Sequence, residues 1–189
     1  ARVATPPAAL EFGRRLFANQ VSWAAIEQVE GQADPAAVEG FALGYNIPDM
    51  VVQHVPVSLR LPTARMRGGA HGYTCFFRES FIDEVASAAG KDPVQFRREH
   101  LAGQKRHLAV LDKVAEMSKW AEAPPKGVSR GVALDESYGS VTAQVAEVSV
   151  EDGKVKVHRV FVAIDCGRAI NPNSVVAQMQ GSIIEGLGA

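Results

Sequence analysis

The stretch "SYGSVTAQVAEVSVEDGKVKVHRVFVAIDCG", residues 137–167, constrains this chain more than any other. Two runs rich in β-branched residues flank Asp152-Gly153, a dipeptide suited to the two-residue primed turn of a β-hairpin. With that dipeptide as the tip, Val150 opposes Val155, Val148 opposes Val157, Val145 opposes Val160, Ala143 opposes Val162 and Val141 opposes Ile164. Apolar meets apolar throughout. The apolar parity nevertheless changes in both strands at the same place, between Val145 and Val148 and between Val157 and Val160. A period of two cannot change phase without moving the buried face, so the pattern predicts a twist or bulge there. The hairpin tip is then expected to pack on a different surface from its base.

Helical signals precede the hairpin. At ~100° per residue, Phe77, Phe81, Ile82, Val85, Ala88 and Ala89 share one arc and Glu79, Ser80, Asp83, Glu84 and Ser87 the opposite one, which predicts a helix from about Thr74 to Ala89. Phe77, Phe81 and Val85 are expected inside, with Glu79 and Asp83 near solvent or satisfied by partners; only Arg78 violates the pattern. Gly90 suits the left-handed position after this helix, Asp92 an N-cap, and Pro93 the first turn of the next helix. A third helix is expected over Gln104 to Trp120, ended by the linker "EAPPKG". Upstream, "VVQHVPVSLRL", residues 51–61, has the β-branched density of a strand. Residues 1–50 read as a partial connecting segment, broken by Pro35, Gly40, Gly44 and Pro48, and residues 51–189 as part of one larger domain. The order of elements gives an α+β, or mixed α/β, fold.

Composition narrows the function classes. With 20 basic and 21 acidic residues the net charge is −1, so no broad basic surface exists for nucleic acid or an anionic membrane. No apolar run reaches the ~18 residues of a spanning helix. Cys75 and Cys166 are far apart, without CxxC or a cysteine–histidine pair at zinc spacing, and read as free thiols. No metal ligand set is expected.

Two segments could carry chemistry. In "TARMRGGAHGY", Arg67 stands beside Gly68 and Gly69, where main-chain N–H groups could approach an anion without side-chain obstruction. The alternative is a flexible loop with a solvated arginine. In "CGRAINPNSVVAQMQGSIIEGLG", Asn171-Pro172-Asn173 starts a helix that carries Gln178, whose amide suits the edge of a heterocycle such as a pterin. Gly181, Gly186 and Gly188 would allow that helix to approach a neighbour or a cofactor closely. A packing helix with an incidental glutamine is the competing reading. Asp165, at a strand end, fits a turn cap better than a base or metal ligand.

"RMRGGAHGYTCFFRESFIDEVASAAGKDPVQFRREHL" and the segment from "SYGSVTAQVAEV" to "DCGRAINPNSVVAQMQGSIIEGLGA" closely resemble the large, molybdopterin-binding subunit of the xanthine dehydrogenase and aldehyde oxidase superfamily. The nearest branch is the isoquinoline 1-oxidoreductase beta subunit and related bacterial aldehyde dehydrogenases. The resemblance covers about Val38 to Ala189, with "ESFIDE", "AAGKDP", "DCGRAINP" and "AQMQG" in one order. It implies a molybdenum–molybdopterin cofactor, plausibly in the cytosine dinucleotide form, hydroxylation of a small aldehyde or N-heterocycle with oxygen from water, and electron exit through iron–sulfur clusters on a partner subunit. It also implies that Arg67, with Gly68, Gly69 and His71, lies at the cofactor edge, and that Gln178, with Gly181, lies against the pterin. The family's catalytic glutamate sits in a "GEPG"-like stretch expected downstream of Ala189, so the chain is expected to be a fragment, inactive alone. Ala70 replaces the branch's usual glycine, and Arg78 a usual apolar residue. A cofactor-free scaffold reusing the fold is the alternative. The residues fix no compartment, cytoplasmic or periplasmic.

Overall fold

The hairpin of β2 (Ser140–Glu151) and β3 (Lys154–Asp165) is joined by β1 (Ser129–Ser137) in an antiparallel sheet of order β1-β2-β3. The computed structural model describes residues 35–42, 44–55 and 67–188. Among the described residues, four helices precede the sheet, α1 (Pro35–Val38), α2 (His71–Ala88), α3 (Pro93–His100) and α4 (Lys105–Met117), and α5 (Pro172–Gly188) follows it. The architecture is α+β, as the order of elements predicts. The chain divides into two units, residues 1–43 with 47–81 and residues 44–46 with 82–189.

Asp152 (φ 51°) and Gly153 (φ 74°) both occupy the left-handed region, as a primed turn requires. Tyr138 (φ 50°) and Gly139 (φ 80°) repeat the arrangement between β1 and β2. At the tip the predicted pairs hold: Val150 opposes Val155 and Val148 opposes Val157. Towards the base the register is one residue out, with Val145 opposite Phe161, Ala143 opposite Ala163 and Val141 opposite Asp165. The predicted pairs of Val145, Ala143 and Val141 are therefore corrected. The slip lies between Glu147 and Val148: Glu147 opposes Arg159 while Val148 opposes Val157, which makes His158 the extra residue of a bulge on β3. The predicted irregularity is there, but β2 keeps its inner face throughout, because Glu147 and Ser149 are buried where apolar side chains would be expected. His158 Nε2 lies 2.8 Å from Ser149 Oγ. Val150 and Val155 fall on the opposite face and are exposed.

The core of the second unit lies between that inner face and α4. Val132, Leu134, Val141, Ala143, Val145 and Ala163 are buried on the sheet, and Val110, Leu111, Val114 and Ala115 on the helix packed over β2 and β3. Helix α3 starts as predicted: Asp92 Oδ1 accepts from Val94 N and Gln95 N, each at 2.9 Å, and Pro93 opens the first turn. Its other carboxylate oxygen accepts from Trp120 Nε1 at 2.8 Å. Asp92→Ala should therefore cost about 1–2 kcal/mol by urea unfolding of the chain, the usual loss for an N-cap.

Helix α2 begins at His71, three residues before the predicted start, and its inner face is not the predicted one. Phe81 is 61% exposed and Phe77 and Val85 are half-buried, whereas Thr74, Arg78, Glu79, Ile82 and Ala86 are buried. Polar pairing explains the difference. Arg78 Nε binds Glu79 Oε1 at 2.8 Å, and Arg78 Nη1 donates to the carbonyl of Gly40. Thr74 Oγ1 lies 2.8 Å from Glu39 O and 2.9 Å from Ala70 O, and Tyr73 donates to Ala37 O at 2.9 Å. In the second unit Asp83 is satisfied by Arg97 Nη1 at 2.6 Å, as expected of it. The predicted strand over residues 51–61 is not observed for 51–55, which form no regular element; the remainder lies outside the described residues.

Candidate cofactor-binding site

The turn from β3 into α5 is built by two side chains that accept main-chain N–H groups. Asp165 Oδ1 takes Gly167 N at 2.9 Å, and Gly167 itself is left-handed at φ 70°. Asn171 Oδ1 takes Asn173 N at 3.0 Å and Ser174 N at 3.4 Å, with Pro172 at the first helical position. The helix thus starts at the Asn171-Pro172-Asn173 turn, as the sequence suggests. Asp165 acts as the cap that strand-end carboxylates commonly provide. Its carboxyl is held down to about 2, chiefly by Arg106 and further by the Gly167 N–H.

No side chain of α5 is buried, and Val176, Ile184 and Leu187 are all more than half exposed. At ~100° per residue, Val176, Met179, Ile183 and Leu187 lie on one side and Ser174, Gln178, Gly181, Ser182, Glu185 and Gly188 on the other. Gln178 is exposed, and Gly181 and Gly188 have open space where a Cβ would stand. The amide therefore sits on a stripe of small and polar residues where a planar group can approach main chain. That arrangement fits a heterocyclic cofactor edge, which needs paired donors and acceptors and little side-chain bulk.

The other predicted site residues fall in the first unit. Arg67, Gly68 and Gly69 are exposed in a turn, with both glycines left-handed at φ 80° and 55°. Any L-side chain at these glycines would be strained. His71 opens α2 rather than lying in the loop, and its ring is turned inward: its side chain is 11% exposed, with Nε2 3.9 Å from Glu39 Oε1, and it fills the space beside Gly40. A cleft of about 460 Å³ in the same unit is lined by Val38, Phe41, Val52, His54, Thr74 and Phe77 among others, and by none of Arg67 to His71. Among the described residues, no cluster of three His, Cys, Asp or Glu could hold a metal, and no helix is long and apolar enough to cross a membrane. Neither Cys75 nor Cys166 forms a disulfide among the described residues.

Sequence reasoning missed Arg106, at the start of α4. Its Nε reaches Asp165 Oδ2 at 2.8 Å, and its Nη2 reaches Asp165 Oδ1 at 3.1 Å, Asp165 O at 3.0 Å and Gly139 O at 2.9 Å. No local pattern marks a residue 59 positions before its partner.

Residues 80–189, including the whole hairpin, the turn and α5, match the family model of the molybdopterin cofactor-binding domain. The chain belongs to that family. The chain is 33% identical over 161 residues to the beta subunit of isoquinoline 1-oxidoreductase from Brevundimonas diminuta, covering 82% of this chain and 21% of the relative. It is 31% identical over 164 residues to a nicotinate dehydrogenase subunit from Pseudomonas putida, covering 74% of this chain and 14% of the relative. It is 31% identical over 143 residues to a membrane-bound aldehyde dehydrogenase (pyrroloquinoline-quinone) of Gluconacetobacter polyoxogenes, covering 65% of this chain and 18% of the relative. No solved structure matches the chain at a significant level. The chain therefore spans about a fifth or less of the length of these relatives. Gln178 and Gly181 lie within the family match, while Arg67 to His71 lie outside it.

Proposed function

We propose that the chain is the pterin-contacting part of a molybdenum hydroxylase large subunit that oxidises small aldehydes or N-heterocycles with oxygen from water. The observation that carries this reading is the capped turn between β3 and α5, which holds Gln178 and Gly181 on an open face inside the segment matched to the cofactor-binding family. The cofactor, in its cytosine dinucleotide form, supplies the two-electron redox chemistry when bound. The chain supplies recognition. Gln178 offers a donor and an acceptor to the pterin edge, the glycines admit it against main chain, and Arg67 contributes fixed positive charge at the active-site edge. Residues 51–189 form part of the cofactor domain, electrons leave to a partner subunit with iron–sulfur clusters, and the general base comes from elsewhere in the whole subunit. The chain alone is expected to be inactive, because a site assembled from several segments offers one of them few of its hydrogen bonds and most of the ordering cost.

The test is composition. The intact subunit, expressed with its partner in a host that makes molybdopterin, should contain about one molybdenum and one pterin per chain. Pyrroloquinoline quinone in their place would overturn the reading. Absence of any cofactor would favour a scaffold role instead.

A further inference from the structure

The fold can control the placement of Gln178 through the base of its helix. The α5 side chains are at most half-buried, Val175, Met179, Ser182, Ile183 and Glu185 being the less exposed ones, so the turn before the helix is one of the features that direct it. The strand end of that turn is anchored at Asp165, and its helix end at Asn171. Asp165 ends β3, caps the turn through Gly167 N, and receives three of the four hydrogen bonds of Arg106. The fourth, from Nη2 to Gly139 O, adds the β1–β2 turn to the same guanidinium. One planar fork therefore ties the start of α4, the β1–β2 turn and the last residue of β3 to the chain that leads into α5. A single charged contact on the surface holds little, but a bidentate pair with two further carbonyl acceptors fixes direction as well as distance.

We propose that Arg106 and Asp165 are positioning residues that set the orientation of α5 and so aim Gln178 at the pterin edge. The inference rests on the reading of α5 as a cofactor face. Asp165 does not touch the cofactor or exchange a proton with it; it holds an angle. An error at the base of a helix grows with distance along it. Gln178 is six residues into α5, about 9 Å at 1.5 Å per residue, so a tilt of roughly 10° displaces its amide by over 1 Å, enough to lengthen a 2.9 Å hydrogen bond beyond its useful range.

The predicted signature is non-additivity. In the intact subunit assembled with its partner, Arg106→Lys keeps the charge but not the fork, and Asp165→Asn keeps the shape but not the ion pair. Each should lower bound pterin about three- to tenfold at limiting cofactor, read by the fluorescence of the oxidised, released pterin. In a Gln178→Ala background the same changes should cause little further loss, because there is no aimed amide left to misplace. Amide exchange over residues 166–178 should quicken in Arg106→Lys while that over residues 141–147 stays unchanged. A merely structural clamp would give equal losses in both backgrounds and faster exchange through the sheet; that result, or no loss of pterin in either single variant, overturns the inference while Gln178→Ala still acts. If Gln178→Ala itself leaves pterin binding unchanged, the cofactor reading of α5 fails and the inference falls with it.

Discussion

Replacing Glu147 with alanine should destabilise the second unit by about 3–5 kcal/mol, the usual cost of removing one partner from a buried ion pair. Its side chain is only 2% exposed, yet both oxygens are used: Oε1 accepts from Arg130 Nε at 3.0 Å and Oε2 from Arg159 Nε at 2.7 Å. Arg130 is itself 9% exposed and also donates from Nη1 to Lys119 O at 2.9 Å and Glu122 O at 2.7 Å. Alanine at 147 would leave that guanidinium buried and short of an anion, while Arg159, 59% exposed, could return to water. The burial cost of Arg130 thus dominates the loss. Glu147→Gln, which keeps one acceptor and the volume, should cost less, and Glu151→Gln at the exposed tip under about 0.5 kcal/mol. Urea unfolding of the chain measures all three.

The same contacts set an acid dependence. Arg159, and after it Arg130, hold the Glu147 carboxyl below the ordinary glutamate range against the opposing effect of burial. A carboxyl whose folded value is depressed stabilises fully above its unfolded value of about 4.3 and loses that contribution as pH falls through the folded one. Stability should therefore decline below about pH 4. Glu147→Gln should flatten that part of the curve.

How much of this was legible depended on whether the determining contact was local. The Asp152-Gly153 turn, the Asp92-Pro93 joint and the Asn171-Pro172 start were readable because each is fixed by residues within a few positions. The base of the hairpin was not. Its apolar pattern admitted two explanations, a face that switches in both strands or a single extra residue in one, and only the burial of Glu147 and Ser149 selects His158 as the bulge. The face of α2 was misread for a related reason. Periodicity left Arg78 as a violation of the apolar arc and Glu79 on the opposite arc, but a mutual ion pair and the Gly40 carbonyl satisfy both inside, Glu79 by a partner as expected, and Phe81 is displaced to the surface. Gln178 was legible as an amide on a glycine-spaced helix. The guanidinium that anchors the base of that helix was not, since Arg106 and Asp165 share no periodicity.

Loss of Gln178 and loss of Arg67 should produce different defects in the intact subunit. Gln178→Ala removes an amide from an edge whose polar atoms would then stay unpaired in a closed site, a penalty of about 1–3 kcal/mol. Cofactor occupancy under limiting supply should fall about ten- to a hundredfold, with turnover per bound molybdenum changed much less. Arg67 lies in a turn whose neighbours Gly68 and Gly69 keep its approach open. A fixed charge beside a reacting centre acts mainly where charge develops, so Arg67→Ala should lower turnover per bound molybdenum at least as much as occupancy. Arg67→Lys should restore only part of it, because an ammonium lacks the planar fork of donors. Metal analysis and steady-state turnover on the same preparations separate the two. Normal molybdenum content together with normal turnover in both alanine variants would remove Arg67 and Gln178 from the site and leave the family membership standing.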